Sequence, residues 1–505
     1  MPAPERARAR TAALAGLIAG GVFFLVGWAT AALVDPAAAP HAALGAGIVD
    51  RTPAWLKDFA IATFGTWDKV ALAVCLIAVS AGLAAATGVL AARRFSAGVA
   101  AVGLLAAVCA VAGLTRADST GWALLPSLLG AAAGLVTLHL LLRRATAGQG
   151  LDRRGFLTAV GGITAGSVVV AVAGGLLSRA RSNTEAVRAQ VPVPEPTDPA
   201  DPIPAGAQLE VAGMPPFVTP NGDFYRIDTA FVLPQVDPED WQLRVHGLVD
   251  QEVVLSFADL LDSALVEAHV TLTCVSNTVG GGLAGNATWI GLPIRDVLAR
   301  ARVQDGADMV LSRSADGFTA STPLEVLTDD RDALLAVAMN GQPLPVEHGF
   351  PVRMVVPGLY GYVSATKWVT ELKVTRFADD QAYWTTRGWD THGPIKTACR
   401  IDVPRSGSEP PAGPVVVAGT AWAQHRGIER VQVQLDDGPW VDADLAAVPG
   451  VDTWRQWSLT LGEVPAGRHA VRARAWDPSG AQTSATAPPV PNGSSGYHVI
   501  SLDVH

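Results

Sequence analysis

Chemistry in this sequence gathers at Cys274, which closes the run Val270-Thr-Leu-Thr-Cys274. Val270, Leu272 and Cys274 alternate with Thr271 and Thr273, a pattern that predicts a half-buried strand, and Asn277 to Gly282 then breaks it. A lone thiol is therefore expected where a strand opens into a glycine-rich loop. An isolated cysteine is by default a small buried hydrophobe, so its company along the chain decides its role. Cys75, Cys109, Cys274 and Cys399 have no metal-ligand spacing and two of them lie in apolar runs, which indicates neither a zinc site nor a disulfide scaffold. Gly280-Gly-Gly-Leu-Ala-Gly285 lacks the strand–turn–helix frame, the Lys and the Ser/Thr of a phosphate loop.

The elements that position this thiol lie between residues 205 and about 400. Strand-like runs (241–245, 270–274, 309–312, 353–356 and 368–374) alternate with helix-like ones (257–261, 294–301, 322–328 and 331–339), a mixed α+β pattern. From Pro414 onward, short alternating strands are separated by Asp436-Asp-Gly-Pro439, Pro465-Ala-Gly467 and Asp477-Pro-Ser-Gly480, the spacing of a β-sandwich. Before the α+β body, Val191 to Pro204 carries six prolines in fourteen residues and is expected to be an extended spacer.

At 505 residues the chain is too long for one core. The first 190 residues hold 16 Lys/Arg against 8 Asp/Glu, and the rest hold 21 against 38. An acidic body speaks against nucleic acid as a partner, because neutralising phosphates needs clustered Lys/Arg. Five apolar stretches, near 11–34, 69–92, 95–115, 121–142 and 156–178, each approach the roughly 20 residues that span a bilayer. Arg6, Arg8 and Arg10, then Arg93-Arg94, then Arg143, Arg144, Arg153 and Arg154 fall in alternate loops, so the positive-inside rule puts the N-terminus inside and everything after 178 outside. This predicts a multi-pass cell-membrane protein with an extracytoplasmic body. Trp55, Phe59 and Trp67 suggest an interface-lying piece within an outer loop at 35–68. Haem between helices usually needs paired axial His, and only His139 lies inside a span, so no haem is predicted. Leu151-Asp-Arg-Arg-Gly-Phe-Leu157 resembles the twin-arginine signal that exports proteins already folded around a cofactor.

Three separated blocks then converge on one family. Asn221-Gly-Asp-Phe-Tyr-Arg-Ile-Asp228, Trp241-Gln-Leu-Arg-Val-His-Gly247 and Thr271-Leu-Thr-Cys-Val-Ser-Asn277 resemble the opening of the sulfite oxidase family of molybdopterin enzymes. Met339 to Gly358, followed by Lys367-Trp368, resembles the same family's most recognisable run. The resemblance covers roughly 215–400 and implies a molybdenum–molybdopterin cofactor, with Cys274 as thiolate ligand to the metal and the catalytic residue. By the same resemblance, Asn221, Tyr225, Arg226, Asp316, His348, Arg353, Ser364 and Lys367 are cofactor-holding positions. Arg, Lys and His suit that work because the pterin's terminal phosphate needs fixed donors.

One departure bears on substrate: sulfite oxidases have arginines directly after Cys-x-x-Asn, whereas this chain has Thr278-Val279-Gly280. The implied organisation is a five-span transmembrane domain (1–190), a linker (191–204), an α+β sulfite-oxidase-like molybdopterin domain (205–404) and an immunoglobulin-like sandwich (405–505), through which the family dimerises. The implied function is oxygen-atom transfer on a small oxyanion or sulfoxide, with a separate electron carrier, cytochrome or quinone. The alternatives are an enzyme like the protein-methionine-sulfoxide reductases and, from another class, a non-catalytic membrane receptor or adhesin with a β-sandwich head.

Overall fold

The computed structural model describes residues 3–53, 68–116, 121–146, 184–230 and 232–505, with isolated positions in the intervals. Two compact units emerge: Met1–Asn183 with Thr229–Leu233, and Thr184–Asp228 with Pro234–His505.

The first unit is helical: Ala3–Val34, Pro40–Arg51, Asp68–Arg93, Phe95–Leu114 and Leu125–Thr146. Among the described residues four segments are long and apolar enough to cross a membrane: Arg8–Val34, Ala71–Arg93, Phe95–Leu114 and Gly121–Arg144. The fifth expected stretch, 156–178, lies for the most part outside the described residues, as do Arg153, Arg154, Trp55, Phe59 and Trp67. Gly16 and Gly88 face each other so closely that a Cβ on either would strike the other helix's backbone. Small residues of this kind let apolar helices pack where no hydrophobic force drives them together.

The second unit is β-rich. Its central sheet runs Val266–Thr273, Ala284–Pro293, Leu334–Met339, Gln342–Pro343, with Arg353–Val355 also pairing Leu334–Met339. A further sheet places Gln242–Gly247 parallel to Val369–Thr375 and extends to Val253–Ser256 on one side and to Met309–Ser314 and Thr319–Pro323 on the other. Ile294–Ala301 covers the core with Ile294, Val297, Leu298 and Ala301, the spacing of one helical face. The run 331–339, read from the sequence as helix-like, is instead the strand Leu334–Met339, buried at every position between two neighbours. A six-residue apolar run has no periodicity to separate a fully buried strand from a buried helix. The strand Ala284–Pro293, which centres the sheet, had no counterpart among the expected elements.

The C-terminal strands form two sheets. One holds Ala398–Val403, Gly413–Trp422, Arg455–Val464 and Asp444–Leu445; the other holds Trp440–Asp442, Arg430–Leu435, Gly467–Asp477, Gly480–Ala481 and His498–Val504. They enclose a separate core that includes Val417, Val431, Trp457, Val471 and Leu502. Trp422 and Trp454 instead join the core of the preceding α+β region, so the sandwich is built onto that region. The proline-rich segment is extended, but it lies against the body: Thr197 donates its N–H to the Leu265 carbonyl at 2.8 Å, and Val191 and Val193 pack on the core.

Candidate molybdopterin site

Cys274 follows directly on the strand Val266–Thr273 and is 7 % exposed. Its N–H donates to the Leu283 carbonyl at 2.9 Å and its carbonyl accepts from Asn277 N–H at 3.1 Å, while Asn277 Oδ1 accepts from Leu283 N–H at 2.9 Å. The loop is thus closed on itself with the thiol at its base. Burial pushes the thiol pKa up, with Ser276 opposing. A buried neutral thiol becomes a ligand when a metal takes the proton's place.

Tyr225 is partly buried; burial raises its phenol, the Cys274 sulfur adds to the rise and Arg353 opposes it. Phe224 stacks on Tyr225 with centroids 5.2 Å apart and meets the edges of Trp289 and His348. Gly285 admits this ring, since a Cβ there would stand 2.7 Å from Phe224.

The basic residues lie together. Arg353 donates to the carbonyls of His348 at 3.2 Å and Met354 at 3.3 Å, and its guanidinium sits 5.1 Å from the Trp289 ring centroid. No carboxylate pairs with it among the described residues, and burial lowers its pKa to about 10. His348 Nε2 donates to the Asn221 carbonyl at 3.0 Å, and burial, reinforced by Arg353, holds the imidazole near 4. Asn221 is itself fixed, its Oδ1 accepting from Asn340 at 2.8 Å. Lys367 Nζ lies 2.9 Å from Asp228 Oδ2 and 3.0 Å from the Glu347 carbonyl, and Arg226 Nε reaches the same Asp228 oxygen at 3.0 Å. Gly349, at φ +112°, leaves room where a Cβ would press on Arg353 and Lys367 at 3.0 Å.

Two expected positions are engaged locally. Asp316 Oδ1 accepts from Ser314 and Phe318 within a turn, and burial raises its carboxyl, although Asp228 and Lys367 both act on it. Ser364 Oγ donates to the Tyr360 carbonyl at 3.0 Å and is fully buried. Sequence reasoning missed Asp228, although it ends the quoted entry run, and Tyr360, whose phenol burial raises to about 12 with Cys274 adding to the effect. It also missed Arg400 and His498. Arg400 Nη1 donates to the Gly281 carbonyl at 3.0 Å, and a Cβ on Gly280 would meet the His498 ring. Both come from the sandwich more than a hundred residues further on, and no local pattern announces them.

These residues fit a metal-bearing group with an anionic tail: one buried thiol, and in the same domain a buried guanidinium with no carboxylate against it among the described residues, which is costly unless an anion meets it. Cys274 would hold the metal; Arg353, Lys367, His348 and Asn221 would hold the tail.

The fold and site define a molybdopterin-binding protein, and comparison with known proteins agrees. The family model for the oxidoreductase molybdopterin binding domain matches residues 230–384. The mitochondrial sulfite oxidase of Macaca fascicularis is 33 % identical over 303 residues, covering 50 % of this chain and 54 % of that protein. Uncharacterized oxidoreductase YuiH of Bacillus subtilis (strain 168) is 32 % identical over 180 residues, 36 % of this chain and 87 % of that one. The crystal structure of the sulfane dehydrogenase SoxCD from Paracoccus pantotrophus shares the fold, with TM-score 0.50 at 24 % identity over 57 % of this chain and 81 % of that one. This chain belongs to the sulfite oxidase-like family of molybdopterin oxidoreductases. It spans about half the length of the sulfite oxidases it matches.

Proposed function

We propose that this protein is a membrane-anchored molybdenum oxidoreductase whose catalytic body faces outward and acts on a small oxyanion or sulfoxide. The observation that carries the reading is the buried Cys274 thiol at the end of its strand, in a domain that also buries Arg353 with no carboxylate against it among the described residues. When bound, the molybdenum group would supply two-electron oxygen-atom chemistry. The chain's own residues do the rest. Cys274 ligates as thiolate, a soft donor suited to this metal. Arg353 and Lys367 fix the anionic tail, and neutral His348 donates to Asn221 and keeps the entry segment seated. Electrons pass to or from a separate carrier, a cytochrome or a quinone, and residues 405–505, read as an immunoglobulin-like domain, form a homodimer contact.

For the substrate, Arg400 beside Gly281 brings a guanidinium to the loop where the sequence lacks arginine. Its Nε lies 2.7 Å from Asp402 Oδ1, which offsets the charge and weakens its pull on a dianion. That favours a neutral sulfoxide, free or in a methionine residue, as the second reading. The test is metal analysis of the purified full chain, followed by a screen of sulfite and sulfoxides with artificial electron acceptors and donors. Stoichiometric molybdenum with turnover of one class, both lost in Cys274→Ser, is the expected result. A wild-type protein without molybdenum, or full activity in Cys274→Ser, would overturn it.

A further inference from the structure

The strand Val266–Thr273 lies at the edge of its sheet. One side pairs with Ala284–Pro293 in a register running from Val266 opposite Gly291 to Thr273 opposite Ala284. Among the described residues the other side has no neighbouring strand in this sheet, yet several of its backbone groups are met. Near its start the proline-rich segment supplies partners: Thr197 N–H reaches Leu265 O at 2.8 Å and Glu267 N–H reaches Asp198 O at 2.9 Å. Near its end, close to Cys274, the partners come from the sandwich. Thr271 N–H donates to the Asp452 carbonyl at 3.0 Å, and Thr271 O accepts from Gln424 Nε2 at 2.9 Å. The same Nε2 is 3.0 Å from Thr273 Oγ1, and Trp454 N–H donates to Thr271 Oγ1 at 2.8 Å.

Gln424 is fully buried, and its Oε1 has no partner among the described residues. A buried amide with one end unpaired is a poor stabiliser, since an apolar side chain of the same shape avoids that cost. The next residue, His425, sits at φ +64°, a conformation costly outside glycine. His425 takes that conformation within the turn that Arg426 and Gly427 N–H close on the Ala423 carbonyl, and the same turn aims the Gln424 amide at the strand that delivers the thiol.

We infer that Gln424 is a positioning residue for Cys274: the sandwich supplies the edge that the cysteine strand lacks, and so fixes where the metal-ligating sulfur stands. This rests on the molybdenum reading above for its purpose, though not for its geometry. Metal geometry at a ligand is set by the groups that hold the ligand, so loosening the strand loosens the site without removing it.

The control is Gln456, equally buried in the same contact but bonded to Leu209 and Pro215, away from the cysteine strand. Full-length wild type, Gln424→Met and Gln456→Met are compared in two measurements. The first is alkylation of Cys274 by iodoacetamide in protein made without molybdate, resolved by peptide mass spectrometry against the buried Cys399. The second is the rate of molybdenum loss on dialysis, with the electron paramagnetic resonance spectrum of the one-electron-reduced metal. Gln424→Met is expected to raise Cys274 alkylation and metal loss each on the order of tenfold, with a second spectral component, while Cys399 is unmoved and Gln456→Met resembles wild type. Equal effects in both variants, or none in Gln424→Met, would overturn the inference. Should Gln424→Met fail to fold, Gln424→Leu, which fills a similar volume and loses the donor, takes its place in both measurements. A wild type that never holds molybdenum sinks the metal reading alone, because the alkylation comparison still judges the clamp.

Discussion

Lys367 and Asp228 form an ion pair at 2.9 Å with side chains only 9 % and 4 % exposed, and still the lysine's pKa falls to about 8. Burial outweighs the attraction of Asp228, with Arg353 and Arg226 adding to the fall. A lysine whose folded pKa lies below the ordinary 10.5 costs stability in full below about pH 8, and the cost fades as pH rises towards 10.5. An anion seated here relieves the same cost. This is the relief that the proposed cofactor's anionic tail would supply.

Asp228→Asn removes the carboxylate and leaves Lys367 and Arg226 without it. The variant should lose about 3 kcal/mol in urea unfolding at pH 7, the usual effect of breaking a buried pair. The difference from wild type should shrink by pH 10, where Lys367 is largely neutral in the folded wild type. An equal difference at both pH values would show that the pair does not act through the lysine's charge.

Arg353→Met separates the two states of the site. In protein made without molybdate the variant should be as stable as wild type or more so, because a buried cation with no carboxylate is removed. In loaded protein it should retain cofactor on the order of tenfold less well, having lost a charge-assisted anchor. Thermal unfolding of the first and molybdenum content of the second provide the readout. A variant destabilised in both states would mark Arg353 as structural only.

His348 sets an acid limit. Its folded pKa of about 4 lies below the ordinary 6.5, so the neutral ring contributes stability that is intact above pH 6.5 and is lost as pH falls towards 4. The loss amounts to roughly 3 kcal/mol. His348→Gln keeps a donor for the Asn221 carbonyl and cannot take up that proton. Its unfolding free energy should fall less steeply than wild type between pH 6.5 and 4, and parallel slopes would refute the assignment.

What the sequence disclosed about this site is what local chain chemistry encodes. The alternation at Val270 to Thr273 gave a strand because its period is two, but the half-buried expectation fails, since Thr271 and Thr273 are as buried as their neighbours under the sandwich; the basic residues stood out through the motif around them. Leu334–Met339 was misread because it is apolar at every position, a pattern that strands and helices share when fully buried. Gln424, Asp452 and Arg400 carry no signal at all, because their roles exist only once the sandwich has folded against the cysteine strand and its loop. Edge strands need partners, but a sequence does not say from where.

The last prediction concerns export. Arg153 and Arg154 precede the apolar stretch 156–178, after four earlier segments able to span a membrane. If the cofactor enters the body before translocation, the body must cross folded, which a route for unfolded chains does not allow. Replacing both arginines by lysine keeps the charge, so the positive-inside preference survives while recognition by twin-arginine machinery fails. The body should then remain inside, protected from protease added to spheroplasts, whereas wild type is digested across residues 205–505. Equal digestion of both, with molybdenum still bound, would show that the two arginines act only as topological charge.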